Sequence, residues 1–404
     1  MVAVHDIPLD RSDSGLISGA VALSLSAQSQ RDRIHRFQAQ GWEIELKRGR
    51  DHVVARTNLP LTGNALIEAA IDHAHRALDL TSVEDGDHLV TRAPADDYIV
   101  FELVDGRRTV RFQNVSDLPI GIDTTVTMTR ADGTVEPQPV RPLLAWVPAF
   151  RFHRLSQGSR DLFDAYRNMF LGLEALLDQL FPKGRQERER AWLQRSVAAA
   201  GAKVDLARLA RPGATDPVRD LVDRIYGVRV HLFHAKTGRA LIPDERVSYM
   251  AVAEAYPVLL ALWTEIVREW LSLRRGGGAI TYQGFRMMIE NAYSSAKIGV
   301  TADDTVPDKS ETTPSPRGFP MSVFADSTRV VEVRPGRMGL HGRIEVSALP
   351  ARQVVGRVLT LNAEGTPLVI SSISGGLTLD GADVFETINV LRLINRGQPR
   401  TEFS

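Results

Sequence analysis

The run DLFDAYRNMFLGLEALLDQLF, residues 161–181, repeats its apolar side chains at the period of an α-helix. Pro182 and Gly184 follow directly and end the pattern. A helix with one continuous apolar face buries that face in a core or in a dimer interface, so this run limits the folds open to the chain. The apolar positions are Leu162, Phe163, Tyr166, Met169, Phe170, Leu173, Leu176, Leu177 and Leu180.

Three further helices are predicted after this run. A short one covers about residues 188–200, and the next begins at Asp216-Pro217, an N-cap residue followed by proline at the first helical position. The last covers about residues 248–274, is interrupted by Pro257 and ends before three glycines. The middle of the chain is therefore expected to be helical.

The segments on either side contain strands. Residues 1–148 combine a helical pattern with hairpin patterns around Asp105-Gly106 and Asp132-Gly133, which predicts a mixed α/β domain. Residues 281–318 are expected to form a helix and a polar linker. Residues 319–404 alternate like strands between glycine turns, which predicts a small β sandwich or barrel. The predicted fold class is α+β, in several domains.

The composition argues against several classes of protein. The 404-residue chain has 49 basic and 49 acidic side chains, so net charge does not favour bulk binding to nucleic acid. It has no cysteine, which excludes disulfides, thiol nucleophiles and cysteine-based zinc sites. The apolar run GLISGAVALSLSA is too short to span a bilayer and follows no basic segment. A cytoplasmic protein that contacts no membrane is expected.

Motifs for nucleotide, hydrolase and metalloprotease chemistry are missing from the sequence. It lacks G-x-x-x-x-G-K-[ST], a strand-coupled G-x-G-x-x-G, G-x-S-x-G and H-E-x-x-H. His73 and His75 are two apart on a predicted helix and point to different sides, which favours surface histidines over metal ligands. His231 and His234 could share a helical face, but no acid lies close in sequence to complete a metal site. No metal and no cofactor are expected.

The stretch IYGVRVHLFHAKTGR, residues 225–239, concentrates basic side chains without an acid. On a straight helix Arg229 and His234 diverge by about 140°, so they meet only if the helix ends or distorts near Leu232, or if two copies face each other. A guanidinium and an imidazole suit a phosphodiester, because arginine clamps its oxygens and histidine moves a proton near neutral pH. If the substrate is RNA, its 2′-OH is the nucleophile and no metal is needed.

These residues resemble a known family. The hexapeptide R-V-H-L-F-H, residues 229–234, fits the R-x4–6-H motif of the HEPN (higher eukaryotes and prokaryotes nucleotide-binding) superfamily. RLSQGSRDLFDAYRNMFLGLEALLDQLFPKG and IYGVRVHLFHAK resemble the first long helix and the motif helix of its ApeA-like and MauJ-like branch. The resemblance covers roughly residues 150–275. It implies a HEPN-like all-α helical bundle at residues 149–280 that forms a homodimer through the motif helices.

The resemblance also implies an activity. Catalytic members of this superfamily are metal-independent ribonucleases of toxin–antitoxin or anti-phage systems that typically leave a 2′,3′-cyclic phosphate. Carried over, Arg229 is the phosphate clamp, His234 is the acid/base, and Glu174 on the first helix orients the arginine. Val230 departs from the polar residue usual after the motif arginine. Either His231 takes over that polar role, or the chain keeps the fold without cleavage.

Two functions therefore stay open. The first is a ribonuclease or nuclease-like effector that binds RNA, with Tyr226, Lys236 and Arg239 as candidate substrate-binding residues and an antitoxin or another protein as a possible partner. The second is a non-catalytic scaffold or RNA-binding protein. In the second case Arg229 and His234 brace a helix end, an Arg229–Glu174 pair ties two helices together, and Tyr226 is a core aromatic.

Overall fold

The computed structural model of the chain describes residues 1–12, 15–122, 127, 129–135, 145–234, 240–243, 245–273, 279–308, 311–324, 328–350 and 354–403. The chain forms two compact units, and each is built from two separate segments. The first unit comprises Met1–Pro119 and Ile280–Ile394, and the second comprises Ile120–Ala279 and Asn395–Ser404.

The strands are named in chain order. They are β1 (Val2–Val4), β2 (Ile7–Pro8), β3 (Arg11–Ser12), β4 (Gly15–Leu16), β5 (Gly19–Ser24), β6 (Arg33–Phe37), β7 (Trp42–Leu46), β8 (His52–Thr57), β9 (Tyr98–Val104), β10 (Arg107–Ile120), β11 (Lys297–Thr301), β12 (Met321–Phe324), β13 (Thr328–Arg334), β14 (Arg337–Glu345), β15 (Val354–Leu361), β16 (Pro367–Leu379) and β17 (Val384–Asn395).

The helices are named in the same way. They are α1 (Gly63–Asp85), α2 (Pro148–Gly158), α3 (Leu162–Leu180), α4 (Glu189–Ala200), α5 (Leu206–Leu209), α6 (Pro217–Phe233), α7 (Arg246–Trp270) and α8 (Tyr282–Tyr293).

The first unit is organised around two large sheets. A six-stranded sheet has the order β12-β11-β15-β16-β1-β2, and a nine-stranded sheet has the order β13-β14-β17-β10-β9-β5-β8-β7-β6. Strands from both ends of the chain are neighbours in each sheet. In the first sheet Val2 pairs with Leu379 in an antiparallel ladder, and in the second β10 lies beside β17.

The nine-stranded sheet buries one face against α1. Alternating apolar residues on β5, β7 and β8 point to the same side and meet the apolar side of the helix, so that contact removes both surfaces from water. The residues in this core include Val21, Leu23, Ile44, Val53, Ala55, Leu66, Ala70 and Ala74.

The hairpin predicted at Asp105-Gly106 is confirmed. Val104 pairs with Arg107, so the turn between β9 and β10 has two residues. Asp105 and Gly106 have φ values of 51° and 75°, which is the pair of positive angles that the right-handed twist of a tight hairpin requires. Of the hairpin predicted at Asp132-Gly133, the described residues form a bridge between Thr129 and Val135 and a turn in which the backbone N–H of Arg130 donates to the carbonyl of Thr134 at 2.8 Å.

The predicted fold class is wrong. The chain is a mixed α/β protein whose described residues contain 15 strands in two large sheets and eight helices, and a central HEPN-like all-α helical bundle at residues 149–280 is not supported. A separate small β sandwich or barrel is not found either, because strands of the C-terminal segment complete sheets that N-terminal strands share. The repeat of apolar residues identifies each element locally. It carries no signal for a strand partner far away in sequence.

The second unit contains α2 to α7 around a shared apolar core. The predicted stripe of α3 lies in this core, with Tyr166, Phe170, Leu173 and Leu177 buried, and Phe403 from the C-terminal segment reaches the same cluster. The helix predicted to be interrupted at Pro257 continues through it as α7. By length and composition α7 is apolar enough to cross a membrane, but half of its apolar window is buried within the protein, and core helices meet the same criterion.

The segment predicted as a linker makes buried contacts where it is described. Asp303 is fully buried and accepts hydrogen bonds from Thr305 and from the backbone of Arg317. Arg357 on β15 is also fully buried, donates to the carbonyl of Thr305 and forms an ion pair with Glu311 at 2.9 Å. These contacts hold the described residues of the segment against β15.

Candidate functional site

The site predicted from the sequence lies at the C-terminal end of α6. Asp216 caps the start of this helix by accepting a hydrogen bond from the backbone of Arg219 at 3.0 Å, and Pro217 is its first residue. Leu221, Val222 and Ile225 are buried and turn one side of the helix into the core. The register set by these residues places Arg229 in the last two turns of the helix.

The helix ends between the two motif residues that were predicted to act together. Phe233 is the last residue of α6, and His234 is extended, with φ −131° and ψ 97°. His234 therefore leaves the helical path, which is one of the two conditions under which its side chain could approach that of Arg229. Within the described residues, no hydrogen bond, ion pair or ring contact joins His234 or His231 to Arg229, and both imidazoles are exposed.

Arg229 is held by Glu189, a residue that was not predicted from the sequence. Its Nη2 lies 2.7 Å from Oε1 of Glu189, the first residue of α4, and the two side chains are 17% and 26% exposed. Glu174 had been predicted as the acid that orients this arginine. An acid in the first turn of a helix, just after the break at Pro182 and Gly184, was the available signal for Glu189, because the positive end of the helix dipole favours a carboxylate there.

Three aromatic rings surround the same guanidinium. The Cζ atom of Arg229 lies 5.3 Å from the ring centre of Phe233, 5.7 Å from that of Tyr226 and 5.8 Å from that of Phe170. Tyr226 and Phe233 are three and four residues from Arg229 on the helix, the spacing at which side chains meet. The rings and Glu189 together fix the position of the arginine. Tyr226, a predicted substrate-binding residue, is thus in contact with the motif arginine.

Glu174 belongs to the cluster through Glu189. Burial, a hydrogen bond with the Glu189 side chain and repulsion from that carboxylate raise the pKa of Glu174 to about 7, while the positive charge of Arg229 acts in the opposite direction. Two carboxyl groups that share a site cannot both ionise easily. The Glu174 carboxyl therefore exchanges a proton near neutral pH, next to a second carboxylate and a guanidinium that come from two other helices.

The other predicted residues of the stretch are His231, Lys236 and Arg239. Lys236 and Arg239 lie outside the described residues. Val230 is half-buried, and His231 lies in the last turn of α6, where a cation interacts favourably with the helix dipole. The structure thus joins Arg229, Glu174, Glu189 and Tyr226 in one cluster and places the two histidines in solvent at the end of the same helix.

Two cavities in the second unit lie apart from this cluster. One of about 640 Å³ is lined by residues of α7 and the segment after it, between Trp263 and Leu273. The other, of about 410 Å³, lies at the start of α6 and is lined by Arg211, Ala214, Thr215, Asp216, Arg219, Asp220, Asp223 and Arg224. Arginines and aspartates balance in the second cavity, so it offers no net positive field to an anion.

No protein-family model, no curated protein and no solved structure matches this chain. The resemblance to the HEPN superfamily therefore depends on the quoted residues alone and stays a prediction.

Proposed function

We propose that the protein is a metal-independent endoribonuclease whose site lies at the end of α6. The observation that supports the proposal best is that α6 ends at Phe233, so that an exposed His234 follows a guanidinium held in place by Glu189. A positioned cation and a free imidazole are what in-line attack by a ribose 2′-OH needs. The substrate class is RNA, because only RNA carries that nucleophile.

The reaction follows from the chemistry of these side chains. The 2′-OH gives up its proton and attacks the adjacent phosphorus, the bond to the 5′-oxygen breaks, and the products are a 2′,3′-cyclic phosphate and a 5′-OH. His234 transfers a proton in this step, and Arg229 contacts the non-bridging oxygens as their charge increases. A phosphate that reaches Arg229 competes with Glu189 for the guanidinium, and protonation of Glu174 reduces the negative charge next to the arginine.

A second copy of the chain is part of this proposal. Exposed His231 and His234 lie at the end of α6, and two such helices facing each other would place two arginine–histidine sets in one cleft. The HEPN resemblance implies this dimeric arrangement. It also implies a role in anti-phage defence or in a toxin–antitoxin pair.

One observation favours a non-catalytic scaffold or RNA-binding protein. Arg229 is mostly buried, its Nε has no hydrogen-bond partner among the described residues, and its ion pair with Glu189 joins α6 to α4. An arginine in this setting braces two helices, which is a structural role that needs no substrate. Val230 stands where the motif of catalytic HEPN members usually has a polar residue, which agrees with that reading.

RNA cleavage separates the two functions. End-labelled total tRNA and a set of structured RNAs are incubated in EDTA with the wild type, Arg229→Ala, His234→Ala and the matched control Arg219→Ala. Arg219 lies at the other end of α6 and its side chain is 72% exposed. We expect the wild type and Arg219→Ala to cleave with cyclic phosphate ends, and the other two to be slower by roughly 100-fold or more.

The catalytic proposal is wrong if the wild type leaves the RNA intact, or if all four proteins cleave it equally. Thermal melts of each variant establish that lost cleavage does not follow from lost folding. Binding of the same RNAs without cleavage would favour the RNA-binding alternative.

A further inference from the structure

Three side chains from two parts of the chain converge in the first unit. His5 lies in the turn between β1 and β2, and Asp51 and His52 lie where β8 begins. The chain segment of β16 around Gly375 passes beside the His5 ring. We propose that His5, Asp51 and His52 bind a divalent transition-metal ion, with Zn²⁺ as the first candidate. The proposal is independent of the ribonuclease activity proposed for the second unit.

The spacing of the ligand atoms fits such an ion. Nε2 of His5 lies 2.9 Å from Oδ1 of Asp51, Nδ1 of His52 lies 3.1 Å from the same oxygen, and one ligand atom from each residue lies within 4.8 Å of the others. Neighbouring ligands of a tetrahedral zinc ion lie roughly 3.3 Å apart, as follows from metal–ligand distances of about 2.0–2.2 Å. A slight opening of the three side chains makes room for the ion.

The ligand types are also those of a metal site. Two imidazoles and one carboxylate are a common protein contribution to zinc and to other divalent transition metals, and they leave a further position for water. The side chains of His5, Asp51 and His52 are only 10%, 17% and 4% exposed, so an ion bound there would be largely screened from solvent. The nearby cations Lys47 and Arg50 are each paired with Asp6, at 2.6 and 2.8 Å.

The second ring nitrogen of His52 has a partner that suits ligation. Its Nε2 lies 3.2 Å from Oγ of Ser24 on the neighbouring strand. When Nε2–H donates to that hydroxyl, the lone pair of Nδ1 points toward Asp51 and is free to bind a metal. An outer hydrogen bond that fixes the tautomer and the ring plane is a regular companion of metal-binding histidines.

The backbone holds His5 in an uncommon conformation. Its φ is +52°, a left-handed value that few residues other than glycine adopt, and its N–H donates to the carbonyl of Gly376 at 3.0 Å. Gly375 has a φ of +66°, and a Cβ added there would lie 1.6 Å from Nδ1 of His5. A residue keeps an uncommon backbone conformation only where surrounding contacts stabilise it, and such residues are frequent at functional sites. Here the strain and the missing side chain place the His5 ring on Asp51.

Zinc binding to the full-length protein tests the proposal. The protein is treated with EDTA, dialysed, and titrated with Zn²⁺ alone by calorimetry, and then with Co²⁺ by absorbance, because cobalt bands report tetrahedral coordination. The variants are Asp51→Asn, which keeps the shape of the side chain, and His5→Asn, since asparagine tolerates a positive φ. His88→Ala is the matched control, because His88 is an exposed histidine of the same unit whose described partner is Ser82.

We expect one Zn²⁺ per chain in the wild type and in His88→Ala, and a loss of affinity of roughly 100-fold in both site variants. We also expect zinc to raise the melting temperature of the wild type and to leave those of the site variants unchanged. The proposal is overturned if the wild type takes up no stoichiometric zinc, or if Asp51→Asn and His5→Asn bind it as the wild type does. If one of the two site variants melts far below the wild type, the zinc affinity of the other site variant is compared with that of the wild type.

Discussion

At the scale of single residues, the cluster around Arg229 was predicted only in part from the sequence. The motif arginine and its helix α6 were predicted from the sequence, and so was Glu174, an acidic residue on α3. The acid that contacts Arg229 is Glu189, while Glu174 is one carboxylate further away. The sequence pattern is compatible with either acid as the partner of Arg229. Only the packing of α3, α4 and α6 determines which of them contacts the guanidinium. A pattern within one element does not contain that information.

The raised pKa of Glu174 predicts a pH-dependent stability. Its pKa is about 7 in the folded chain against 4.5 as the ordinary value, so between those pH values the folded state binds more protons and loses stability as the pH rises. Glu174→Gln removes this loss. We expect urea unfolding to show the variant more stable than the wild type by about 1 kcal/mol at pH 8, a figure reduced for partial exposure, and equal to it near pH 4.

Glu187→Gln is the control for this prediction, with the opposite sign. The Arg195 guanidinium lowers the pKa of Glu187 to about 2, so this carboxylate adds stability above its ordinary pKa and loses it as the pH falls toward 2. Its neutral variant is expected to be less stable than the wild type at pH 8. A stability difference for Glu174→Gln that is the same at pH 4 and pH 8 would contradict a raised pKa of Glu174 in the folded chain.

At the scale of elements, local chemistry predicted much of what is observed. The N-cap at Asp216, the proline after it and the Asp105-Gly106 turn all appear where the sequence indicated. Each is specified by two or three adjacent residues whose backbone preferences act alone. Pro257 is the exception, since α7 continues through it because buried neighbours such as Tyr256 and Leu259 hold both halves in the core. Tertiary packing outweighs a local preference there.

The cap of α6 gives a prediction at this scale. Asp216→Ala removes the acceptor for the backbone N–H of Arg219, and we expect it to reduce the free energy of unfolding by about 1 kcal/mol. Thr62→Ala is the comparison, because Thr62 occupies the N-cap of α1 without a side-chain cap hydrogen bond. Urea titrations followed by far-ultraviolet circular dichroism measure both. Equal effects of the two substitutions would show that the Asp216 carboxylate contributes nothing as a cap.

At the scale of the whole molecule, the unpredicted feature is how the two ends of the chain combine. Residues 319–404 were correctly seen as strands, yet they were assigned to a domain of their own. In the structure β14 and β17 extend the sheet that contains β5, β8 and β9, and β16 pairs with β1. Alternation of apolar residues indicates that a segment is a strand, and it also indicates which face of the strand is buried. Its partner is chosen by contacts between segments hundreds of residues apart, which no local pattern encodes.

A buried ion network makes this combination testable. Asp96, only 4% exposed, forms ion pairs with Arg337 and Arg392, with Nη1 of Arg392 at 2.8 Å, and these residues are 241 and 296 positions away in sequence. Asp96→Asn removes the charge that faces the buried guanidinium of Arg337 and one of the two carboxylates paired with Arg392, which keeps Asp117 at 2.6 Å. We therefore expect a loss of about 3 kcal/mol in the free energy of unfolding. The matched control is Glu345→Gln, which breaks the exposed pair with Arg107 and should lower the free energy of unfolding far less, because water and salt screen that pair. Denaturant unfolding monitored by fluorescence compares the two. If Asp96→Asn lowers the free energy of unfolding no more than Glu345→Gln does, the pairing of the two chain ends is stabilised by apolar burial in the sheets. The ion network then contributes little to stability.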